Sequence, residues 1–335
     1  EAKTYRELLR IDPLHNLAGL ALERQKIRRH PSVQVGHSYW EDKGRGQHAV
    51  SQITRNLTDL ALDVPIKCQH HLKFKAHRWF ERPKLGPGPY WANGHTVGVS
   101  GIFNPYFSYD LSWSGKYYET DSVPDRHTGH AKFWFNLRDY ASLGLGYERT
   151  NEIYNAFGIQ QGTQADNYWV SLSSFLTRKW EVEAQVRYLK FNDSNNEQVY
   201  SFATSYDFTD HPRVFRVRLR GEYRDTAKLN EYIFQGNQLL NIVHPYWTPR
   251  NYLGGALTLE WYHDLSRLFF CGSDRHYYAL RTILSSDTTG NQGYGFEGEW
   301  NYEFRKHWSV NVKGFLNRSH EWDANAAWAF IRYQF

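Results

Sequence analysis

The sequence predicts an all-β protein, an antiparallel β-barrel of about 16 strands with a short N-terminal α-helical segment. Three observations predict this fold: polar and apolar residues alternate with a period of two from Ser32 to Phe335, connections are short at one end and longer at the other, and aromatic residues make up 17% of the chain. This combination is typical of outer-membrane barrels, whose apolar face meets lipid while the polar face lines a lumen.

Residues 1–30 form the predicted helical region, and residues 31–335 form the predicted transmembrane barrel. Leucines recur at helical spacing in YRELLRIDPLHNLAGLALERQ, with a break at Asp12-Pro13. The stretch resembles the junction between two tetratricopeptide repeats (TPR), in which a D-P turn joins the end of one helix to an N-x-x-A-x-x-x-L helix. The alternative is a two-helix leader that packs on the barrel end. Because no signal peptide is present, we expect the chain to be part of a longer exported protein.

Sixteen segments have the strand period. They are 32–41, 50–64, 68–80, 94–104, 106–119, 126–138, 140–150, 166–178, 180–192, 197–209, 212–225, 250–263, 270–284, 291–304, 307–319 and 323–335.

The connections predict the orientation of the barrel. Those after even-numbered strands are minimal, such as Asn104-Pro105 and Arg305-Lys306, whereas 81–93, 151–165 and 226–249 are long. An even strand count places both termini at the short-turn end, which is periplasmic in such barrels. The final strand ends on Phe335 with an aromatic residue two positions earlier, and this resembles the signal read by the barrel-assembly machinery. That machinery and outer-membrane lipid are therefore expected partners.

The segment VFRVRLRGEYRD, Val214–Asp225, shows how the two faces are assigned. Its charged residues alternate with Phe215, Val217 and Leu219. A charged side chain facing lipid costs about 2–4 kcal/mol at mid-depth, so the charged face is expected to line the lumen. The predicted lumen and polymer-path residues are Glu260, Asp264, Glu297, Glu299, Glu303, Arg216, Arg218, Arg220, Arg224, Asp110, Trp134 and Tyr252. The alternative is that these charges pair between strands as structural ladders.

The connection 226–249 is the predicted gating loop. It is the longest on its side and is too apolar for a fully solvated loop. We expect it to fold into the lumen mouth or pack on the rim; the alternative is that it extends the flanking strands above the membrane. The candidate gating residues are Phe234, Leu239, Tyr246 and Trp247, and 81–93 is a second candidate loop.

Other classes of site have little support in the sequence. A net charge of +5 is too small to indicate a nucleic-acid partner. No G-x-S-x-G, H-E-x-x-H or Walker A motif occurs, so we expect neither an enzyme nor a cofactor. His127 and His130 have metal-like spacing, but residues three apart on a strand face opposite sides, so no metal site is predicted. Cys68 and Cys271, the two cysteines, allow one disulfide.

TPR-like helices that lead into a sixteen-stranded barrel resemble the exopolysaccharide export porins of Gram-negative bacteria, which export poly-N-acetylglucosamine, Pel or cellulose. The segment HPYWTPRNYLGG is a second likeness, because these exporters often enter a late strand through an aromatic-x-Pro-x-x-aromatic sequence, as Tyr246, Trp247, Pro249 and Tyr252 stand here. The resemblance implies passive export in biofilm formation. An inner-membrane synthase would push the exopolysaccharide, periplasmic repeats would guide it, and the barrel would release it at the cell surface.

The sequence leaves the transported molecule open. An acidic strip of Glu260, Asp264, Glu297, Glu299 and Glu303 would favour a cationic, partly deacetylated polymer, whereas the arginines of 212–225 oppose a uniformly acidic pore. A general or solute-specific diffusion porin is the main alternative. An outer-membrane enzyme, a scaffold and an adhesin anchor are the remaining ones.

Overall fold

The computed structural model describes residues 2–66, 69–137, 140–266 and 275–335. Two helices come first, α1 (Ala2–Ile11) and α2 (Asn16–Ile27), and a short helix, α3 (Ala156–Gln160), lies in a later loop. The strands are β1 (Ser32–Gly44), β2 (Gln52–Ile66), β3 (His70–Pro83), β4 (Tyr90–Asn104), β5 (Phe107–Tyr118), β6 (Arg126–Asn136), β7 (Ala141–Asn151), β8 (Gln164–Phe175), β9 (Trp180–Phe191), β10 (Asn196–Asp207), β11 (Arg213–Thr226), β12 (Glu231–Gln235), β13 (Gln238–Val243), β14 (Tyr252–Asp264), β15 (Tyr277–Asp287), β16 (Gln292–Arg305), β17 (Trp308–Ser319) and β18 (Trp322–Gln334).

Sixteen of these strands form one closed antiparallel barrel, which confirms the predicted fold. Each strand pairs with its neighbour in the chain, and β1 closes the barrel against β18 from Ser32–Gln334 to Gly44–Trp322. The remaining two, β12 and β13, form a separate hairpin inserted between β11 and β14. Closure leaves no free sheet edge, so every strand of the barrel has two hydrogen-bonded neighbours.

The outward side chains form an apolar belt around the barrel. Leu219, Leu253, Leu280 and Phe296 are each half-exposed on that surface. The pairing register places Leu219 opposite Leu257 and Leu280 opposite Trp261, so apolar residues continue from strand to strand. This is the surface that an outer-membrane barrel presents to lipid.

The two helices lie at the short-turn end of the barrel. His15 caps α2 by accepting a hydrogen bond from the Ala18 backbone N–H, at 3.2 Å. The α2 carboxylate of Glu23 lies 2.6 Å from Lys306 in the turn between β16 and β17. No helix among the described residues is long and apolar enough to cross a membrane.

Several expected features fall at the undescribed positions. Cys68 and Cys271 lie outside the described residues, as does the turn at 138–139. The strand expected from 270 begins at Tyr277 in the described part of the chain.

Candidate channel lumen and mouth

The register of the barrel sorts charged side chains to its inner face. Arg216 faces Asp207 on β10 and Glu260 on β14, and Arg220 faces Ala203 and Ala256. Side chains alternate between the two faces of a strand, so every even-numbered residue of β11 points to the same face as Arg216 and Arg220. The polar face of β11 is therefore the inner one.

The four predicted arginines of β11 all form ion pairs. Arg216 contacts Asp207 at 2.5 Å, and Arg218 reaches Glu183 of β9 at 2.5 Å. Arg220 and Arg224 share Glu222, and Arg224 also lies 3.2 Å from Glu197. The geometry matches the ladder alternative, because each cation is neutralised by a carboxylate on its own or a nearby strand. Contact with a passing polymer stays a prediction.

The acidic strip is also paired, mainly through Arg281 of β15. The guanidinium of Arg281 contacts Glu260 and Glu297 directly and lies 3.8 Å from Glu299. Lys313 of β17 adds a second partner for Glu297 at 3.1 Å. A strip paired in this way attracts a cationic polymer much less than three free carboxylates would.

Other predicted lumen residues lie nearer the short-turn end. Glu303 lies 3.6 Å from Arg24 of α2, and Asp264 lies 3.1 Å from His211. These contacts place charged pairs where the helices meet the barrel. On the wall across the lumen, Asp110 faces His130 at 3.4 Å, and the Trp134 ring centroid lies 6.4 Å from that of Trp169.

Loops at the opposite end fold inward and pack together. We call segments 45–51, 84–89, 119–125, 152–163 and 227–251 the loop plug. Val50, Phe157 and Ile242 come from three of these loops and bury one another. Ile153 and Ile159 pack on Ile53, an inward-facing residue of β2. Since these loops leave the rim between β1 and β2, β7 and β8, and β11 and β14, they meet across the mouth of the barrel.

One buried asparagine connects three loops of the plug. The Asn155 side-chain amide donates to the Val50 carbonyl at 2.9 Å and to the Pro245 carbonyl at 3.0 Å. Its Oδ1 accepts from the Gly158 backbone N–H at 3.0 Å and so caps α3. The guanidinium of Arg126, on β6, is also buried and donates to the carbonyls of Gly158 and Ile159. The Asn155 amide and the carbonyls of Gly158 and Ile159 thus have hydrogen-bond partners on other elements.

The predicted gating residues divide between the buried and the exposed parts of the loop plug. Tyr246 is buried against Phe191, with ring centroids 4.0 Å apart, and its hydroxyl donates to Asp193 at 3.1 Å. Burial and the nearby Asp193 raise the pKa of Tyr246, which keeps the hydroxyl protonated. Leu239 and Trp247 pack against the cluster of Val50, Phe157 and Ile242, whereas Phe234 is exposed on β12.

A cavity of about 610 Å³ lies between the plug and the barrel wall. Trp247 of the plug stacks on His48 with centroids 4.6 Å apart and meets Tyr252 edge-on at 5.0 Å. The Arg224 guanidinium lies 5.3 Å from the Trp247 ring. Burial lowers the pKa of His48 to about 4, so its imidazole is neutral at physiological pH.

Sequence reasoning did not single out Arg281, Asn155 or the β12–β13 hairpin. The inward position of Arg281 follows from its alternation with Leu280 and Thr282, but its three carboxylate partners depend on register. The hairpin had a local signal, Gly236-Asn237 between two apolar runs, and Gly236 has a φ of +59°. Asn155 has no such signal, because its partners are distant in the chain.

The described residues hold no group of three or more His, Cys, Asp or Glu that is arranged to bind a metal ion.

Comparison with known proteins identifies the fold but no sequence family. No family model and no curated protein matches the chain. A solved structure described as a bacterial polysaccharide outer membrane secretin matches with a TM-score of 0.68 and 10% identity, over 92% of this chain and 99% of that one. OpdQ of Pseudomonas aeruginosa matches with a TM-score of 0.44 and 10% identity, over 91% and 98% of the two chains. OpdO of the same organism has a TM-score of 0.44 and 9% identity, over 91% and 96%. The first likeness shows that this chain has the fold of an outer-membrane barrel.

Proposed function

We propose that the protein is a passive outer-membrane channel that exports an exopolysaccharide from the periplasm to the cell surface. The observation that carries the proposal is a polar lumen, lined by self-paired charges and aromatic rings, beneath a plug at the long-loop end. Polysaccharide passage suits such a wall, because ring faces contact sugar C–H groups while paired charges still offer hydrogen-bond partners to hydroxyls.

The loop plug supports export of a long chain over free diffusion of small solutes. A diffusion porin works with an open mouth, whereas an exporter has to stay closed until its polymer arrives. The shared fold with a polysaccharide secretin motivates the same substrate class. In this arrangement the short-turn end, with both termini and α2, faces the periplasm, where a TPR region and an inner-membrane synthase would deliver the polymer.

The second candidate is a solute-specific diffusion porin. Acidic and basic side chains alternate around the lumen, for example Arg218 with Glu183 and Arg281 with Glu297, and such crossed charges orient small polar solutes. Neither candidate involves catalysis or a cofactor.

Single-channel recording in planar bilayers separates the two candidates. Export predicts rare openings that chitohexaose or cellohexaose interrupts in a concentration-dependent way. A steadily open channel whose current is indifferent to both hexasaccharides contradicts export and favours the diffusion porin.

A further inference from the structure

We propose that five inward-facing aromatic residues on β1, β17 and β18 form a binding track for uncharged, equatorially substituted pyranose units. We call Trp40, Phe315, Trp322, Trp328 and Phe330 the aromatic track. This inference rests on the proposed function and deepens it, because it identifies where the polymer binds and which sugars bind best.

Register places all five rings on one side of the lumen. On β18, Trp322, Trp328 and Phe330 share the inward face, and β18 pairs with β1 and β17. Trp40 stacks on Phe315 with ring centroids 6.0 Å apart, and Trp40 also lies 6.0 Å from Trp328. Trp322 and Phe330 are eight residues apart on the strand, so the track is about 27 Å long at ~3.4 Å per residue.

The upper part of the track is held rigidly. The Trp40 indole N–H donates to one Asp42 oxygen at 2.6 Å, and the Trp322 indole N–H donates to the other at 3.1 Å. Asp42 therefore satisfies both indole donors and fixes the positions of both rings. Rings fixed before binding lose little conformational entropy when a ligand stacks on them.

At the lower end of the track, the Phe330 ring lies close to the backbone of β1. Gly36 faces Phe330 across the β1–β18 pair, and a Cβ on Gly36 would come within 2.6 Å of the Phe330 ring. The missing side chain lets the ring approach the backbone of β1. Ala324 and Ala326, between Trp322 and Trp328, are buried, so small side chains also form the wall under the track.

Charges beside the track favour an uncharged sugar. The Lys313 ammonium lies 5.6 Å from the Trp328 ring, and the Arg55 guanidinium lies 5.8 Å from the Trp40 ring. Lys313 is paired with Glu297 at 3.1 Å and Arg55 with Asp42 at 3.5 Å, so neither of these carboxylates beside the track is free to attract a protonated amino sugar. Equatorially substituted pyranoses, such as glucose or N-acetylglucosamine, expose C–H groups on both faces and match aromatic surfaces.

The upper end of the track meets the plug. His48 stacks on Trp322 with ring centroids 6.4 Å apart and also on Trp247 with ring centroids 4.6 Å apart. The track therefore leads into the 610 Å³ cavity, which Trp40, Trp322 and Trp247 all line. A sugar chain that follows the track reaches the loops that close the mouth.

Calorimetric titration of the purified full chain in detergent tests the track. Trp328→Ala and Phe330→Ala are each expected to weaken chitohexaose binding about three- to tenfold, since one aromatic contact is removed, whereas Trp328→Phe retains most of the affinity. Trp300→Ala is the matched control, because Trp300 lies on the outward face of β16. Heat-modifiable electrophoretic mobility verifies that each variant forms a closed barrel.

The outcomes separate this inference from the proposed function. If wild type, Trp328→Ala and Phe330→Ala bind chitohexaose with equal affinity, the aromatic track is not the binding site. The proposal is also wrong if glucosamine hexamer binds as tightly as chitohexaose. If those results accompany passage of chitohexaose through the channel, export stands without the track. Failure of chitohexaose to pass through a channel that conducts ions overturns export itself.

Discussion

Removal of the Asn155 side chain should release the loop plug. Its amide makes two hydrogen bonds between loops, to Val50 and Pro245. Each is worth about 1 kcal/mol net, so Asn155→Ala should favour the open arrangement by about 2 kcal/mol. Since 1.4 kcal/mol is a factor of ten, the ratio of open to closed time should rise about 30-fold.

Single-channel recording measures that ratio directly, and two further variants test whether the Asn155 hydrogen bonds are responsible for the change. Asn155→Asp retains the oxygen that caps α3 but loses both donors, so it should open the channel at least as much as Asn155→Ala. Asn301→Ala is the control, because the Asn301 amide donates to the Arg275 carbonyl at the short-turn end of the barrel. An unchanged dwell-time ratio in a correctly folded Asn155→Ala barrel would refute the claim that these loops close the mouth.

Three further predictions concern pH, stability and pore size. The pKa of His48 is lowered from 6.5 to about 4 in the plug, so protonation favours release as pH falls from 6.5 towards 4; the open-to-closed ratio should rise on the order of 100-fold over that range in wild type but stay flat in His48→Phe recordings. Glu81 and Lys116 form a buried ion pair at 2.5 Å, so Glu81→Gln should lower the free energy of unfolding in urea by about 3–5 kcal/mol. The double variant Glu81→Leu with Lys116→Met leaves no charge unpaired and should recover most of that stability, whereas additive losses in the double variant would contradict this account of the pair. The Trp169 indole lies against Gly146, so Gly146→Val should push the ring into the lumen and lower the open-channel conductance, whereas an unchanged conductance would argue against this packing.

The barrel was predictable because its environment imposes a local pattern. Lipid outside and water inside force the alternation of Arg216, Val217, Arg218 and Leu219, which can be read without tertiary contacts. The separation of short turns from long loops then predicted the order of the strands and the placement of both termini at the same end of the barrel. The alternation of residues and the loop lengths are both properties of residues that are close together in the sequence.

The plug and the lumen pairing were not predictable in the same way. Val50 and Asn155 are separated by 105 positions, and no local period predicts their hydrogen bond. Alternation places Arg281 inside the barrel but does not say that three carboxylates surround it. The aromatic track was unpredictable for the same reason, since Trp40 and Phe315 become neighbours only when β18 pairs with both β1 and β17.

Release of chitohexaose from proteoliposomes tests the central claim most directly. Vesicles loaded with both chitohexaose and N-acetylglucosamine are reconstituted with wild-type protein or with Asn155→Ala, and the efflux of each sugar is followed. An export channel predicts that Asn155→Ala releases the hexasaccharide as well as the monomer, with hexasaccharide efflux that saturates as its concentration rises. Retention of chitohexaose while N-acetylglucosamine escapes through the opened barrel would contradict polysaccharide export.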